Sequence, residues 1–228
     1  MKLLQINSMT FLNYNRSRTG FSLIEVILAI GVFLISVLAL IGLLAPMLQS
    51  VDEVEKVDEI TSVVNTVNAF LQSSTEIGDP DASPPVSKFD AIYNAVGSGG
   101  EATLFVYRYY DSNDLVQLEV GFSSSEAVGS DAIVQNLFAD AAGPIFRVVL
   151  SASSVTPVAL RSPTRDGDTG IYTLTQALNS YPEGYFAMEA RIFAEDPPGP
   201  SGTFNTTTNL SELNLREADF TFNTAIVR

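Results

Sequence analysis

Two carboxylates in a polar loop have the spacing of metal ligands. Asp166 and Asp168 lie two residues apart in the sequence Arg-Asp-Gly-Asp-Thr-Gly, and carboxylates at this spacing can share a hard cation such as calcium. The loop lacks the glycine at the sixth position and the glutamate at the twelfth that complete an EF-hand loop. A solvated turn is therefore the favoured interpretation and calcium the weaker alternative, so we expect no metal site.

The rest of the chain offers little catalytic chemistry. Its 228 residues include no Cys and no His, which excludes thiol catalysis, Ser-His-Asp triads, Cys/His zinc sites and disulfides. Paired acids such as Glu183 and Glu189 can support acid–base catalysis in principle. With 26 acidic residues in the chain, however, such pairs arise by chance. We expect a protein that is not an enzyme and that needs no cofactor.

One carboxylate stands out because a long uncharged run begins directly after it. Residues 26–51, next to Glu25, carry no charge, and as a helix they would be roughly 39 Å long. That length exceeds the ~30 Å hydrocarbon core of a bilayer, and a buried helix is rarely apolar on every face for so long. A carboxylate at the edge of a membrane span usually marks a function, although a glutamate near the end can also simply reach the headgroups.

The charges on the two sides of this span predict its orientation. Arg16 and Arg18 precede it, whereas Asp52, Glu53 and Glu55 come after it. By the positive-inside rule, the N-terminal segment is cytoplasmic and the bulk of the chain is exported. The apolar run is too long for the core of a secretory signal peptide, which has about 7–15 apolar residues.

A glycine lies at the boundary between the basic segment and the apolar run. The sequence there is Thr-Gly-Phe-Ser-Leu-Ile-Glu-Val, residues 19–26, with Glu25 five residues after Gly20. This octapeptide resembles the cleavage and methylation motif of type IV pilins, type II secretion pseudopilins and related prepilins. The resemblance implies cleavage after Gly20 by a membrane-embedded aspartyl peptidase and methylation of Phe21, the new N-terminal residue. It also implies that Glu25 takes part in assembly, by meeting the N-terminal amine of a neighbouring subunit.

The same resemblance implies a function and a set of partners. We expect a prepilin-like structural subunit, a minor pilin or pseudopilin, of a type IV pilus-like or type II secretion-like filament. Its partners would be the prepilin peptidase, other pilin-like subunits that pack through the N-terminal helix, and the inner-membrane assembly machinery. The strand at 185–193 and the Pro-rich loop after it also resemble pilin-like proteins from multi-gene cassettes of Verrucomicrobia. A membrane-anchored binding module that recognises a secreted substrate or surface is the alternative.

The implied location is the bacterial inner membrane, crossed once, with the C-terminal domain exported. The formal net charge is −14, and nine basic and 26 acidic residues lie after Gly20. Binding to nucleic acid through phosphate contacts needs clustered Lys and Arg. We therefore expect no nucleic-acid partner.

The elements that position these residues can be read from hydrophobic periodicity. Apolar residues recur at helical spacing from Val51 to Leu71, which predicts one helix over 22–73. A second helix is predicted at 88–96, in a Pro- and Gly-rich connection over 78–100. Strands are predicted at 102–110, 115–122, 145–151, 171–174, 185–194 and 220–227, and alternation predicts that 185–194 is buried on one side only. The predicted fold is α+β and pilin-like, with a long N-terminal helix packed on an antiparallel sheet. The predicted divisions are a leader at 1–20, a transmembrane helix at 21–50, its amphipathic continuation at 51–77 and an exported domain at 78–228.

Overall fold

The computed structural model describes residues 20–73, 76–77, 86–122, 135–199 and 202–228. The predicted leader, apart from Gly20, lies outside these ranges, as does most of the predicted connection before residue 86. The chain divides into two compact units, residues 1–55 and 56–228.

The first unit contains the start of a long helix, α1, which runs from Leu23 to Gln72. Its bounds confirm the helix predicted at 22–73. Residues Leu23–Leu44 form a 22-residue apolar segment that is long enough to cross a membrane, and none of its residues is buried within the protein. It is the one candidate span in the described part of the chain, and it is consistent with single-pass anchoring in a membrane.

The second unit is built on a five-stranded antiparallel sheet. Its strands are β3 (Ala102–Tyr110), β4 (Val116–Phe122), β5 (Ile145–Ala152), β6 (Tyr185–Glu195) and β7 (Phe220–Val227), in the spatial order β4-β3-β5-β6-β7. Two short strands, β1 (Glu76–Ile77) and β2 (Val86–Ser87), pair with each other. The described elements also include helix α2 (Lys88–Gly99), the short helix α3 (Leu210–Leu215) and two short 3-10 helices at Gln135–Asp140 and Leu178–Ser180. The α+β class is therefore confirmed.

Two helices cover one face of the sheet, which we call the helix-covered face. It bears Leu104, Val148 and Ile192, which belong to the largest hydrophobic cluster. Buried residues of α1 and α2 complete this cluster, and among them are Ile60, Val63, Val67, Phe70, Leu71, Phe89, Ile92, Tyr93 and Val96. The predicted packing of the helix on the sheet is thus confirmed for the part of α1 in this unit. The predicted stripe is longer than the buried one, since Val51, Val54 and Val57 are exposed.

The opposite face, which we call the loop-covered face, is also buried. It bears Phe105, Val149 and Phe193, and these pack against Phe138 and Phe204 in one cluster and Leu213 of α3 in another. The prediction that strand 185–194 is buried on one side only was wrong. Glu189 and Arg191 lie on this second face and are buried as well. Irregular segments on both sides of β6 in the sequence cover this face, since Arg165 binds Glu189 and the later residues Phe204 and Leu213 join the clusters of this face.

The predicted strand at 171–174 was also wrong. Tyr172 and Leu174 form only isolated bridges, to Ala152 and Arg161 respectively. The segment lies beside the irregular residues around 160–162, where Ser162 donates its N–H to the Thr173 carbonyl. Without a regular partner strand, no continuous ladder of hydrogen bonds forms.

Candidate processing and anchoring site

Ser22 and Glu25 form a reciprocal cap at the start of α1. The Ser22 backbone N–H donates to Glu25 Oε2 at 2.9 Å, and the Ser22 hydroxyl donates to the same oxygen at 3.0 Å. The Glu25 N–H in turn points to Ser22 Oγ at 3.3 Å. This is a capping box, in which the residue before the helix and the residue three positions later satisfy each other's backbone donors. It defines where the apolar helix begins.

The predicted cleavage site lies directly before this cap. Gly20, Phe21 and Ser22 are outside the helix and exposed, and the Phe21 side chain is 86% exposed. A Cβ added at Gly20 would meet no atom within 4 Å. The Gly20–Phe21 peptide bond therefore lies outside the helix, and no other residue that the structure describes crowds it. A peptidase active site requires such access to its substrate.

The apolar surface of the helix begins immediately after the cap. Between Leu23 and Leu44 the large hydrophobic side chains are mostly more than half exposed. Ser36 is among the few polar residues in the segment, and its hydroxyl donates back to the Val32 carbonyl at 2.8 Å. Such a bond satisfies a hydroxyl within its own helix, so Ser36 adds no unsatisfied polar group to the apolar surface of the segment.

The cap leaves two groups available for contacts with another molecule. The bonds of the box use Glu25 Oε2, and none of them uses Glu25 Oε1 or the Phe21 nitrogen. Cleavage after Gly20 would convert the Phe21 nitrogen into a charged amine next to the cap. One subunit would then present an amine and a partly free carboxylate within five residues of each other.

Sequence reasoning missed the part played by Ser22. The signal was present, because a Ser followed three residues later by a Glu before an apolar run is a sequence mark of a helix start. Glu25 was instead predicted to mark the membrane edge and to meet the amine of a neighbouring subunit, and neither prediction gives it a partner in its own chain. The structure gives the same carboxylate a local partner within its own chain.

The two acids of the polar loop do not converge on a common point. Asp166 Oδ1 accepts hydrogen bonds from the N–H groups of Asp168 and Thr169, at 3.0 and 2.8 Å, and from the Thr169 hydroxyl. These bonds lower the pKa of Asp166, with the Thr169 N–H as the main cause. Asp168 Oδ2 accepts instead from Ser211, at 2.7 Å. The loop is thus a hydrogen-bonded turn tied to α3.

Glu183 and Glu189, the acid pair considered for catalysis, do not share a hydrogen-bond partner. Glu189 accepts two hydrogen bonds from the Arg165 guanidinium, one of them 2.8 Å long. Glu183 takes no part in that ion pair. In the part of the chain that the structure describes, no three acidic side chains gather into a group able to hold a metal ion.

Comparison with known proteins gives no relative from which to transfer a function. No protein-family model, curated protein or solved structure matches the chain. Its function must therefore be argued from its own residues.

Proposed function

We propose that this protein is a prepilin-like structural subunit, a minor pilin or pseudopilin, of a type IV pilus-like or type II secretion-like filament. The observation that carries the proposal is the arrangement at the start of α1. An exposed, non-helical Gly20–Phe21 bond lies directly before a capped helix whose first 22 residues are apolar except for Glu25 and Ser36. A peptidase that cuts there removes the basic segment and leaves the anchor on the mature chain.

Cleavage at this bond also creates the group that assembly would use. The new Phe21 amine is a cation at the membrane edge, and Glu25 is an anion four residues later. In a bundle of like-oriented helices, the amine of one subunit can meet the Glu25 carboxylate of its neighbour. The attraction between opposite charges is strong where the dielectric constant is low, and it falls with distance, so the pair would fix the axial register of adjacent helices.

The partners follow from this arrangement. They are a prepilin peptidase, which processes Gly20 and Phe21, other pilin-like subunits, and the inner-membrane assembly machinery. The mature protein crosses the inner membrane once, with its N-terminus at the cytoplasmic side and the domain of residues 56–228 exported. The excess of acidic residues argues against a nucleic-acid partner.

The alternative, an anchored binding module, has less support. Such a module would use its sheet as the recognition surface. Helices cover one face of the sheet, and Phe138, Phe204 and Leu213 pack on the other. A ligand would have to bind at an edge of the sheet or on a loop, and the described loops carry no group of acidic metal ligands.

The proposal is tested by determining the N-terminus of the mature protein from its native host. We expect mass spectrometry to find a chain that begins with methylated Phe21, and to find the uncut chain when the peptidase is deleted. Gly20→Leu should block cleavage. Gly31→Ala is the matched control, because an added Cβ meets no atom at either glycine, and it should be cut normally. A mature chain that begins near Ala45 would overturn the proposal.

A further inference from the structure

The hairpin formed by β3 and β4 lies alongside α1. Arg108 of β3 is 3.3 Å from Glu59 of α1. Phe122 of β4, which pairs with Leu104, has its ring centroid 5.5 Å from that of Phe70. From Arg108 to Leu104 the strand advances ~13 Å, and from Glu59 to Phe70 the helix advances ~17 Å. Because these distances are similar, the hairpin and the helix run side by side within the second unit.

The turn of this hairpin points to the end of the domain at which α1 enters it. The second unit begins at Lys56, close to Glu59. The turn, residues 111–115, continues the hairpin past Arg108. This is the direction that leads along α1 from Phe70 back to Glu59. The turn and the start of the unit therefore lie at the same end, which we call the entry end.

Four apolar side chains at this turn are exposed, and we call them the hairpin patch. They are Tyr110 at 60%, Leu115 at 59%, Val116 at 55% and Leu118 at 38%. Tyr110 and Val116 are paired directly across the two strands, and Leu118 follows Val116 on the same face of β4. The four side chains thus lie next to each other at the entry end, and contiguous exposed apolar side chains are typical of a contact site.

The connection to the candidate membrane span indicates what this patch contacts. The span ends at Leu44, twelve residues before Lys56, where the second unit begins. Both residues belong to α1, and twelve residues of helix cover only ~18 Å. In an anchored chain, Lys56 can therefore not be far from the lipid headgroups. The bilayer is the surface that the chain itself keeps close to the entry end.

We propose that the hairpin patch lies against the headgroups of zwitterionic lipids, so that the domain rests on the membrane by its entry end before it joins a filament. This inference rests on the single-pass anchoring in the proposed function and adds a second contact with the same membrane. The anchor keeps the domain at a high local concentration beside the bilayer, so a patch too small to bind a free protein to lipid is still occupied. Tyr110 fits this place, because tyrosine is enriched at the level of the headgroups.

The charges of the hairpin determine which lipid the patch fits. Asp111 and Asp114 lie in the turn, and the one cation of the hairpin, Arg108, is paired with Glu59. Asp111 Oδ1 accepts hydrogen bonds from two backbone N–H groups of the turn, at 2.8 and 3.0 Å. The turn therefore brings negative charge to the membrane surface, and anionic headgroups would repel it. A zwitterionic headgroup has no net charge and does not.

Quenching of a fluorescent dye by lipid tests the contact in the full-length protein. The chain contains no cysteine, so a single introduced thiol can be labelled. Ser112→Cys places the turn dye beside the patch, and Ser154→Cys places the loop dye in an exposed loop at the opposite end of the sheet. The labelled protein is reconstituted in vesicles of phosphatidylcholine and phosphatidylethanolamine that contain a lipid with a nitroxide on its headgroup. We expect the nitroxide to quench the turn dye several times more strongly than the loop dye.

Two matched double variants show whether the patch causes this quenching. Leu115→Gln with Val116→Thr makes the patch more polar and should reduce quenching of the turn dye to the level of the loop dye. Val155→Thr with Val158→Thr changes two similarly exposed valines at the opposite end and should leave the turn dye quenched as before. Circular dichroism establishes that each variant is folded. Equal quenching of the two dyes, or quenching that the first variant leaves unchanged, would overturn the proposal.

Protein density and lipid charge identify the occupant of the patch. Contact with lipid involves one chain, so quenching of the turn dye should be the same at low and at high protein density. A turn dye that becomes shielded from the nitroxide only as the density rises would show that another subunit covers the patch, and the proposal would be wrong. Phosphatidylglycerol in place of part of the zwitterionic lipid should weaken the quenching, and stronger quenching would contradict the choice of lipid.

Alkaline extraction of host membranes distinguishes failure of this contact from failure of the proposed function. A chain that stays in the membrane and is cut after Gly20, but whose turn dye is not quenched, would lose the hairpin contact alone. A chain that alkaline carbonate removes from the membrane has no anchor. That result would overturn both proposals together.

Discussion

Ser22 and Glu25 hold the first turn of α1 together, with the Ser22 N–H donating to Glu25 Oε2 at 2.9 Å. The contact is made within one chain, whereas the proposed assembly contact of Glu25 is made between chains. A loss of assembly after replacing Glu25 has therefore two possible causes, a weaker cap or a missing charge. The two causes can be separated because Gln also completes a capping box.

Glu25→Gln should reduce incorporation into the filament although the helix still begins at the same place. The amide oxygen can accept the bond from the Ser22 N–H, but it has no charge to attract the Phe21 amine of a neighbour. Ser22→Ala is the converse variant, since it removes the hydroxyl and keeps the charge, and a lost cap of this kind costs about 1 kcal/mol. We expect it to assemble nearly normally.

Co-purification with partner subunits measures both variants, with mass spectrometry of the N-terminus to establish that each was cut. Glu25→Leu should assemble poorly too, and its greater apolarity means that weaker anchoring cannot explain the loss. Normal assembly of Glu25→Gln, together with a loss in Ser22→Ala, would show that Glu25 acts only as a cap.

A truncated chain that begins at Val51 should be soluble and folded. The helix that remains still buries Ile60, Val63 and Val67 against the sheet, while the lipid-facing segment is gone. Circular dichroism should show both helix and strand, and thermal unfolding should be cooperative. Val63→Asp in this chain should abolish folding, because Val63 is 1% exposed and an unpaired buried charge is costly. Val57→Asp, at a position 64% exposed on the same helix, should fold normally.

The strands were predictable where their sequence pattern is local. The predicted bounds 102–110 and 220–227 agree with β3 and β7, because alternating or continuous apolar residues are bounded there by turn-forming residues. The helix over 22–73 was predictable for the same reason. Pattern and spacing within ten or twenty residues contain this information.

The loop-covered face could not be predicted, because its cover has no periodic pattern. Phe204 and Leu213 lie in a polar stretch of the sequence, and the ion pair between Arg147 and Glu195 joins residues 48 apart. A buried Glu189 or Arg191 looks like a solvent-facing residue until its partners are known. The processing site was easier to predict than the loop-covered face, because Ser22 and Glu25 both lie in the recognised sequence motif. Only the hydrogen bonds between them were not predicted.

The stability of the domain should fall at acidic pH partly through Asp219. Burial opposes the shift, but hydrogen bonds from the Ala194 N–H and from Lys56, together with the Lys56 charge, lower the pKa of Asp219 below its ordinary value. A carboxylate with a lowered pKa in the folded state stabilises that state above its unfolded pKa. This contribution is lost as the pH falls through the lowered pKa.

Urea unfolding of the truncated chain between about pH 6 and pH 2 measures this effect. Asp219→Asn should lower the free energy of unfolding by about 1–3 kcal/mol at pH 6, since bonds to a charged group are lost or weakened. The difference from the unaltered protein should shrink toward pH 2. Asp58→Asn, which replaces an exposed acid on α1, should leave the free energy of unfolding unchanged at pH 6 and at pH 2. A loss from Asp219→Asn that stays constant with pH would show that the charge plays no part.

The last prediction concerns two arginines that share one carboxylate. Arg147 donates to Glu195 through Nε at 2.8 Å and through Nη2 at 3.1 Å, and it also reaches the Thr206 carbonyl at 3.3 Å. Its side chain is 5% exposed. Arg216 approaches the same Glu195 at 3.5 Å, and its side chain is 49% exposed. The two residues therefore differ in burial while they share a partner.

Arg147→Ala should lower the free energy of unfolding by about 3–5 kcal/mol, because it removes the buried partner of Glu195 together with the donor to the Asn205 and Thr206 carbonyls, and leaves only the more distant, exposed Arg216 beside the carboxylate. Arg216→Ala should lower it by less than about 1 kcal/mol, as expected for an exposed pair in water. Urea unfolding of the truncated chain measures both values. Arg147→Lys separates charge from geometry, since a lysine keeps the charge but cannot form the two-pronged contact with Glu195 and the bond to the 202–209 segment at once. We expect it to recover less than half of the loss, and full recovery would mean that charge alone holds this segment on the sheet.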